Sequence, residues 1–585
     1  MRQEYAWRSF VLAGLLGLIG VSIILQIIRI QNSPEAATFR KQTASQANVT
    51  ETYYPDRGEI YDRNGHLLAG NKTVYEISVD LKNAPDKHAI ALTMGVQLGL
   101  NPDTLYSQMM NPPKGVQTLV LTDFVDSDKA AALQQFKTAT DAQAFASGHA
   151  SSLAGLGFRA HPQRSYPEGE LASNVLGFVT REGRGYFGVE EKYNNLLAGN
   201  KVNVLVPMDP SKAVDIPRVP NGTTLILTIN RDLQAATEQI LDQSLTKYGA
   251  QHGAIVVMNP RTGEILALAS SPRMDINQFW NYTTIFQNAS EYDRAISLPY
   301  EPGSVIKVLT MAAALDSGTV VPSTSYLDTG SLLVGGATIR NWNLKAWGIQ
   351  DMVGCLQHSL NICMATISGK MGAQTFYGYM NRFGLGHLTG VDLAGEAAGR
   401  LKVPGDGDWY PVDLATNAFG QGVSVTPIQL MMAASSVAND GRMVTPHVLY
   451  AMLRDGRQYN VSAQYAGSPI TVNTAHTLNQ MLAVSLENEA SGALLPGYRI
   501  AGKTGTAQIP TQFGYDSTYT NASFIGWGPV DDPRFMIYVW LEKPSASIWG
   551  SDTAAPTFAQ VAQKAVLILN IPPDNIRNQI ANVKP

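Results

Sequence analysis

The chain has 585 residues, room for several domains, and its 45% hydrophobic and 15% charged residues are ordinary globular composition. A net charge of -4 with no block of Lys and Arg leaves no basic footprint, which argues against nucleic acid as a partner. With two cysteines, no C-x-x-C, no H-E-x-x-H and nine scattered histidines, no metal site and no cofactor site is predicted.

Phe10 to Ile28 runs 19 residues without a charge. As a helix it spans close to the roughly 30 Å of bilayer hydrocarbon. It predicts an uncleaved membrane anchor, because the run exceeds a usual signal-peptide core and no clear A-x-A site follows. Arg2 and Arg8 precede it while Arg29, Arg40 and Lys41 follow, so the positive-inside count leaves orientation open. Asn32 to Val49 is polar and reads as a linker or amphipathic entry segment.

In the stretch 54–69, Asn64-Gly65 between two apolar-containing runs is a hairpin signal. On local physics alone, Arg57, Asp62 and Arg63 are solvated charge beside a turn. Residues 72 to 215 mix short strands and helices, with turn clusters at Asn111-Pro112-Pro113-Lys114 and Asp209-Pro210-Ser211. No constellation of acid, base and nucleophile stands out there, and a non-catalytic stalk is expected.

From Asn221 the pattern becomes more regular. Arg231 to Tyr248 predicts an amphipathic helix with Leu233, Ile240 and Leu241 on one face. Gly253 to Met258 and Glu264 to Ala269 read as strands joined by a tight turn, and Ala522 to Gly528 and Arg534 to Leu541 form a similar pair near the far end. Helical segments, including Ile428 to Val437, lie between the pairs. The expectation is one α/β domain whose sheet takes strands from both ends of a segment of roughly 330 residues.

Within that segment, Glu301-Pro302-Gly303-Ser304-Val305-Ile306-Lys307 opens a helix predicted to begin at Ser304 and stop at Gly318. Apart from Lys307, residues Val305 to Leu315 are apolar or small on every face, so the helix should be buried all round. A buried ammonium without a partner escapes its cost by giving up its proton, which makes it a base. Ser304 and Lys307, at i and i+3, share a face, the arrangement of an activated serine nucleophile. A second S-x-x-K, Ser244-Leu245-Thr246-Lys247, lies well inside a predicted helix and is read as structural. Cys355 and Cys363 would stand about 12 Å apart if they shared a helix, too far for a disulfide, and read as core residues.

Ser359-Leu360-Asn361 and Lys503-Thr504-Gly505-Thr506 follow in order. Each is weak alone, but with Ser304 and Lys307 they match S-x-x-K, S-x-N, K-T-G, the motif set of penicillin-recognising serine acyltransferases. Gly497 to Thr504 also fits the P-loop pattern, but Gly505 and Pro510 discourage the helix that such a loop needs. His358 beside Ser359 prompts a Ser-His-Asp hydrolase; adjacent side chains seldom converge on one proton, and no G-x-S-x-G is present.

On these residues the chain resembles, essentially end to end, the class B penicillin-binding proteins, the monofunctional peptidoglycan D,D-transpeptidases. The Arg57-to-Ala69 stretch, Arg164-x-Tyr166-Pro167-x-Gly169 and Gly185-x-x-Gly188-x-Glu190 look like that family's pedestal motifs. The resemblance raises Arg57, Asp62, Arg164 and Glu190 from surface charge to an expected interdomain network. It implies an α+β fold with five parts: a cytoplasmic tail (1–9), a single membrane anchor (10–30), a mixed α/β pedestal (31–215), a transpeptidase domain (216–570) and a C-terminal tail (571–585). That domain is expected to hold an antiparallel sheet flanked by helices, plus a helical subdomain. Everything past the anchor would lie outside the plasma membrane. No glycosyltransferase-sized domain precedes the pedestal, so the bifunctional class is not expected.

The resemblance also implies roles. Ser304, relieved of its proton by Lys307, would attack the penultimate D-Ala of a stem pentapeptide and expel the last. An amine from a neighbouring stem would then take the acyl group, and a β-lactam would mimic the first step and stall. Amides of Ser304 and Thr506 would form the oxyanion hole, and Lys503, Thr504 and Thr506 would hold the substrate carboxylate. Gly505 would let the strand approach the substrate closely. Asn361 would orient the substrate amide, and Ser359 would relay protons between Lys307, Lys503 and the amine. Implied partners are stem peptides, β-lactams, the membrane, a SEDS-family glycosyltransferase and other wall-synthesis proteins. Phe383-Gly384-Leu385-Gly386 and the run Asn417 to Pro427 are similar to the division-septum branch, with the elongation branch as alternative. Carboxypeptidase or β-lactamase chemistry would not need a pedestal. A non-enzymatic β-lactam sensor would carry a large cytoplasmic portion, and an idle scaffold would have lost Ser304 or Lys307.

Overall fold

The computed structural model describes residues 6–33, 36, 48–53, 55–207, 219–287, 290, 292–489, 491–512 and 514–583. Most of the predicted linker, the Asp209-Pro210-Ser211 turn and the predicted boundary at 215/216 lie outside the described residues. The chain forms two units, 1–56 with 199–221 and 57–198 with 222–585.

In the first unit, Ala6–Gln31 is a helix, slightly longer than the predicted anchor. At 1.5 Å per residue its 26 residues exceed the roughly 30 Å of hydrocarbon. Among the described residues it is the one helix long and apolar enough to cross a membrane. The same unit holds an antiparallel ribbon of Asn48–Tyr53 with Val202–Pro207.

The second unit is built on two sheets. The larger runs Arg457–Asn460, Leu449–Arg454, Thr224–Leu227, Ile60–Tyr61, Leu67–Asp80 and Thr118–Asp126, with Leu156–Ser165 also paired to Leu67–Asp80. The Asn64-Gly65 turn joins Ile60–Tyr61 to Leu67–Asp80 as an antiparallel pair, as its turn chemistry predicts. Ile60–Tyr61 also pairs in parallel with Leu225 and Ile226, so the pedestal stretch and the catalytic stretch share one sheet. Helices Lys87–Leu98, Pro102–Met110 and Ser127–Ala146 cover the outer strands around a core that includes Ile77, Ile90, Met94 and Leu133.

The second sheet is antiparallel, in the order Ile265–Ser270, His252–Met258, Phe535–Glu542, Gly514–Gly528, Ala501–Thr511. Both terminal strand pairs read in the sequence therefore meet in one sheet. Its strands His252–Met258 and Phe535–Glu542 are apolar at nearly every position because helices cover both faces. Side-chain alternation sorts the residues. Ile255, Val257, Ile537 and Val539 pack with helices Arg231–Tyr248 and Ala554–Ile568. Val256, Met258, Tyr538 and Trp540 face the opposite core, with Val305, Met311 and Met431. That core contains the helix Lys307–Asp316, packed among Asn361–Arg382, Pro427–Ala438 and Val472–Glu489.

Ser244 is buried in its helix, where its Oγ lies 3.0 Å from Thr557 Oγ1, the structural role its setting predicts. The P-loop candidate is no cradle: Lys503 and Thr504 lie inside the strand Ala501–Thr511. Residues expected as a C-terminal tail contain the helix Asp574–Val583, which Arg577 ties to Asp531.

Candidate active site

The nucleophile turn is held on three sides. The Tyr300 and Val425 backbones exchange hydrogen bonds of 3.0 Å, and the Gly303 amide donates to Gly420 O at 3.1 Å. Glu301 accepts from the Gly422 amide and from Tyr515 Oη, both at 3.0 Å. Burial pushes the Glu301 carboxyl above its usual range. Gly303 has φ 57, and a Cβ there would lie 2.8 Å from Thr506 O, so the turn rests directly on the edge strand.

The helix does not begin at Ser304 as predicted. Gly303–Ile306 is a 3-10 turn, and the α-helix starts at Lys307. Because i and i+3 eclipse in a 3-10 turn, Ser304 and Lys307 still share a face.

Lys307 is fully buried, as its apolar neighbours predict. Its Nζ lies 2.7 Å from Ser359 O, 2.8 Å from Asn361 Oδ1 and 3.2 Å from Ser359 Oγ. Burial, reinforced by the charge of Lys503, holds the Lys307 ammonium well below the usual lysine range. A neutral amine has two N–H donors. Spending them on Ser359 O and Asn361 Oδ1 leaves its lone pair for a hydroxyl proton. Asn361 is itself oriented by donating from Nδ2 to Arg340 O at 3.1 Å.

Ser359 and Asn361 stand at a corner between helices Met352–Gln357 and Asn361–Arg382, with Ser359 in the left-handed region at φ 52. The corner corrects the expectation for the cysteines. They do not share a helix, and the reversal brings their Cα atoms to 6.0 Å, where Cys355 and Cys363 form a disulfide. Leu360 is buried beneath the corner.

Lys503 is nearly buried, with Nζ 3.1 Å from Thr504 Oγ1. Thr506 Oγ1 accepts from the Gly550 amide at 3.0 Å. At Gly505 a Cβ would lie 2.2 Å from Ser523 Oγ and 2.7 Å from Val305 Cγ2. Packing of the strand on its neighbour and on the nucleophile turn therefore demands a glycine there.

Ser304, Ser359, Lys503, Thr504 and Thr506 line one cleft of about 390 Å³. His358 lines it too, as do Trp342, Trp549 and Asp552, to which no sequence motif pointed. The two tryptophans meet edge to face at 5.1 Å; Trp342 donates from Nε1 to His358 O at 3.0 Å, and His358 stacks on Trp347. A serine, a buried amine and a second lysine beside two threonine hydroxyls equip the cleft for acyl transfer from a carboxylate-bearing ligand.

The family model for the penicillin-binding protein transpeptidase domain matches residues 253–563, more than half the chain, and the model for the penicillin-binding protein dimerisation domain matches 52–214. The chain belongs to the class B penicillin-binding proteins. It is 30% identical to stage V sporulation protein D of Bacillus subtilis, over 90% of this chain and 80% of that protein. Peptidoglycan D,D-transpeptidase FtsI of Escherichia coli is 28% identical, over 98% of this chain and 94% of that protein. The crystal structure of penicillin-binding protein 3 from Mycobacterium tuberculosis in complex with aztreonam superposes with a TM-score of 0.68 at 25% identity, over 89% of this chain and 98% of that one.

In this penicillin-binding protein the four pedestal residues do not form a single interdomain network. Glu190, buried, binds Arg57 Nε and Arg164 Nε, each at 2.7 Å, and all three lie in the pedestal stretch. Asp62 stands apart because the turn after Tyr61 aims it elsewhere. It accepts from the amides of Asn64 and His66, both at 2.8 Å, and from the Arg231 amide at 3.0 Å, at the start of the helix Arg231–Tyr248. Sequence reasoning missed further ties from pedestal to catalytic stretch, among them Tyr166 with Asn277, the Ala172 amide with Glu238, Glu168 with Arg231 and Tyr193 with Asp392.

Proposed function

We propose that this protein is a peptidoglycan D,D-transpeptidase that cross-links stem peptides through an acyl-enzyme on Ser304. The observation that carries the reading is the Lys307 amine, buried and aimed by Ser359 O and Asn361 Oδ1 in the helix that follows Ser304. Lys307 takes the Ser304 proton as Oγ attacks the penultimate D-Ala carbonyl, and the terminal D-Ala leaves as an amine that recovers a proton. Ser359, within reach of Lys307, relays a proton to the leaving amine and takes one from the incoming amine, and Asn361 orients the substrate amide. The amides of Ser304 and Thr506 receive the oxyanion. Lys503, Thr504 and Thr506 hold the terminal carboxylate. An amine of a second stem then takes the acyl group.

β-Lactams stop the cycle at the acyl-enzyme; the likeness to a relative crystallised with aztreonam supports this. The helix Ala6–Gln31 anchors the protein in the plasma membrane with the catalytic domain outside, the side on which a disulfide is chemically at home. Asp62 couples the pedestal to the catalytic domain, while Arg57, Arg164 and Glu190 hold the pedestal together. A SEDS-family glycosyltransferase supplies the glycan strands. The site of action is the division septum, a reading supported by likeness to FtsI. A sporulation role is the second reading, favoured by likeness to a stage V sporulation protein.

The test is fluorescent-penicillin labelling of the full chain, resolved on a denaturing gel, followed by a stem pentapeptide and amine assay. A covalent band lost in Ser304→Ala and kept in Ser244→Ala, with D-Ala release and cross-linked product, is expected. Loss of the band in Ser244→Ala instead would overturn the assignment of the nucleophile.

A further inference from the structure

We propose that the Cys355–Cys363 disulfide is a positioning clasp for Ser359-Leu360-Asn361, so that acylation of Ser304 slows when the pair is reduced. The inference rests on the acyl-transfer reading above and adds a control on it. The pair brackets the motif: Cys355 lies in the helix before the corner and Cys363 in the first turn of the helix after it. Inside the ring sit both acceptors that aim the Lys307 amine, Ser359 O and Asn361 Oδ1, and the Ser359 hydroxyl 3.2 Å from it. Gln357, His358 and Ser359, also inside it, line the cleft.

The corner is a conformation that needs holding. Ser359 is a non-glycine residue at φ 52, and such a residue persists only where its surroundings over-determine it. Two backbone hydrogen bonds close the reversal, Ser359 N to Leu356 O at 3.2 Å and Leu360 N to Cys355 O at 3.0 Å. The disulfide is the covalent element across the same corner, and both cysteines are buried in the core that carries Lys307. Without it the two helices can splay, carrying Ser359 O and Asn361 Oδ1 away from the amine. The opposite wall, with Lys503, Thr504 and Thr506, belongs to a strand that the clasp does not cross. Reduction should therefore impair proton transfer from Ser304 while leaving carboxylate binding in place. The chemistry is thiol–disulfide exchange with a dithiol: the Cys355–Cys363 bond breaks, two electrons and two protons pass from the dithiol, and the dithiol leaves as its own disulfide.

The test uses the full chain in detergent micelles, oxidised or treated with dithiothreitol, with thiols counted by alkylation in denaturant. A penicillin titration separates the noncovalent Kd from the first-order acylation rate constant, and a thermal midpoint is recorded for each sample. The expected result is a fall of about ten- to a hundredfold in the acylation rate constant, a Kd within about twofold, and recovery on reoxidation. Cys355→Ser with Cys363→Ser should show the slow rate with or without dithiothreitol, which covers the case in which the buried bond resists reduction. A sample with both thiols counted and an unchanged rate constant would overturn the clasp. So would Kd and rate constant failing together with a collapsed thermal midpoint, since that marks a purely structural bond. Absence of labelling in the oxidised protein would instead sink the acyl-transfer reading on which the clasp depends.

Discussion

Replacing Lys307 with Met isolates the electrostatic state of the buried amine. The substitution keeps most of the side-chain volume and removes the titrating group. The unfolded chain binds the lysine proton up to about pH 10.4, whereas burial lowers the folded pKa well below that. Between the two values the unfolded state holds one more proton, so wild-type stability rises with pH relative to Lys307→Met. The slope is at most about 1.4 kcal/mol per pH unit, and it vanishes above about pH 10.4. A pH-independent term opposes it: the variant leaves Ser359 O and Asn361 Oδ1 without the amine, at about 1–3 kcal/mol each. The absolute difference at one pH is therefore a contest between two terms of similar size, and the slope is the decisive quantity. Urea unfolding of both proteins followed by tryptophan fluorescence from pH 7 to 9.5 measures it, and penicillin labelling should be lost in the variant throughout. A stability difference that stays constant over that range would mean that Lys307 is charged in the folded protein, and the base assignment would fall.

Glu190→Ala should leave Arg57 and Arg164 buried without their shared carboxylate and destabilise the protein by about 3–5 kcal/mol, read as a lowered denaturation midpoint. Acylation by the fraction that stays folded should change by less than about twofold, because the network lies in the pedestal stretch. Asp293, buried with its carboxyl pushed up to about 7, keeps its proton in the folded state where the unfolded chain has released it. Wild-type stability should therefore fall relative to Asp293→Asn as pH rises from about 4 to 7, by up to about 1.4 kcal/mol per unit, and be level above that. Trp342→Ala should weaken noncovalent penicillin binding by about five- to thirtyfold, equivalent to roughly 1–2 kcal/mol, since the ring lines the cleft.

Lys307 was legible in the sequence because one cation in an otherwise apolar helix is a violation that physics must resolve, and the motif order then located its partners. The sheet was legible because the two strand pairs at the ends of the segment, Gly253 to Met258 with Glu264 to Ala269 and Ala522 to Gly528 with Arg534 to Leu541, are largely apolar. The Cys355–Cys363 bond was not, because the distance argument assumed one continuous helix, and nothing in the residue types announces that a serine takes the left-handed turn between two. Trp342 and Trp549 reach the cleft from segments 207 residues apart in number, with no periodicity or motif connecting them. Gly505 was legible from the motif, but its close contacts with Ser523 and Val305 required the fold. The pedestal charges required the fold: only coordinates separate Asp62, aimed at a helix start, from the arginines that converge on Glu190.

The parallel pairing of Ile60–Tyr61 with Leu225 and Ile226 orders events during synthesis. A chain emerging amino end first makes the Asn64-Gly65 hairpin early, yet the far edge of Ile60–Tyr61 stays unpaired until Thr224–Leu227 arrives. At ribosomal rates that wait is on the order of tens of seconds. Leu449–Arg454 must follow to extend the same sheet, and the catalytic sheet awaits Phe535–Glu542. During the interval an open strand edge is available to chaperones or to another copy of the chain. A fragment ending before Thr224 would present that edge permanently, so the stalk is completed by the enzyme it carries.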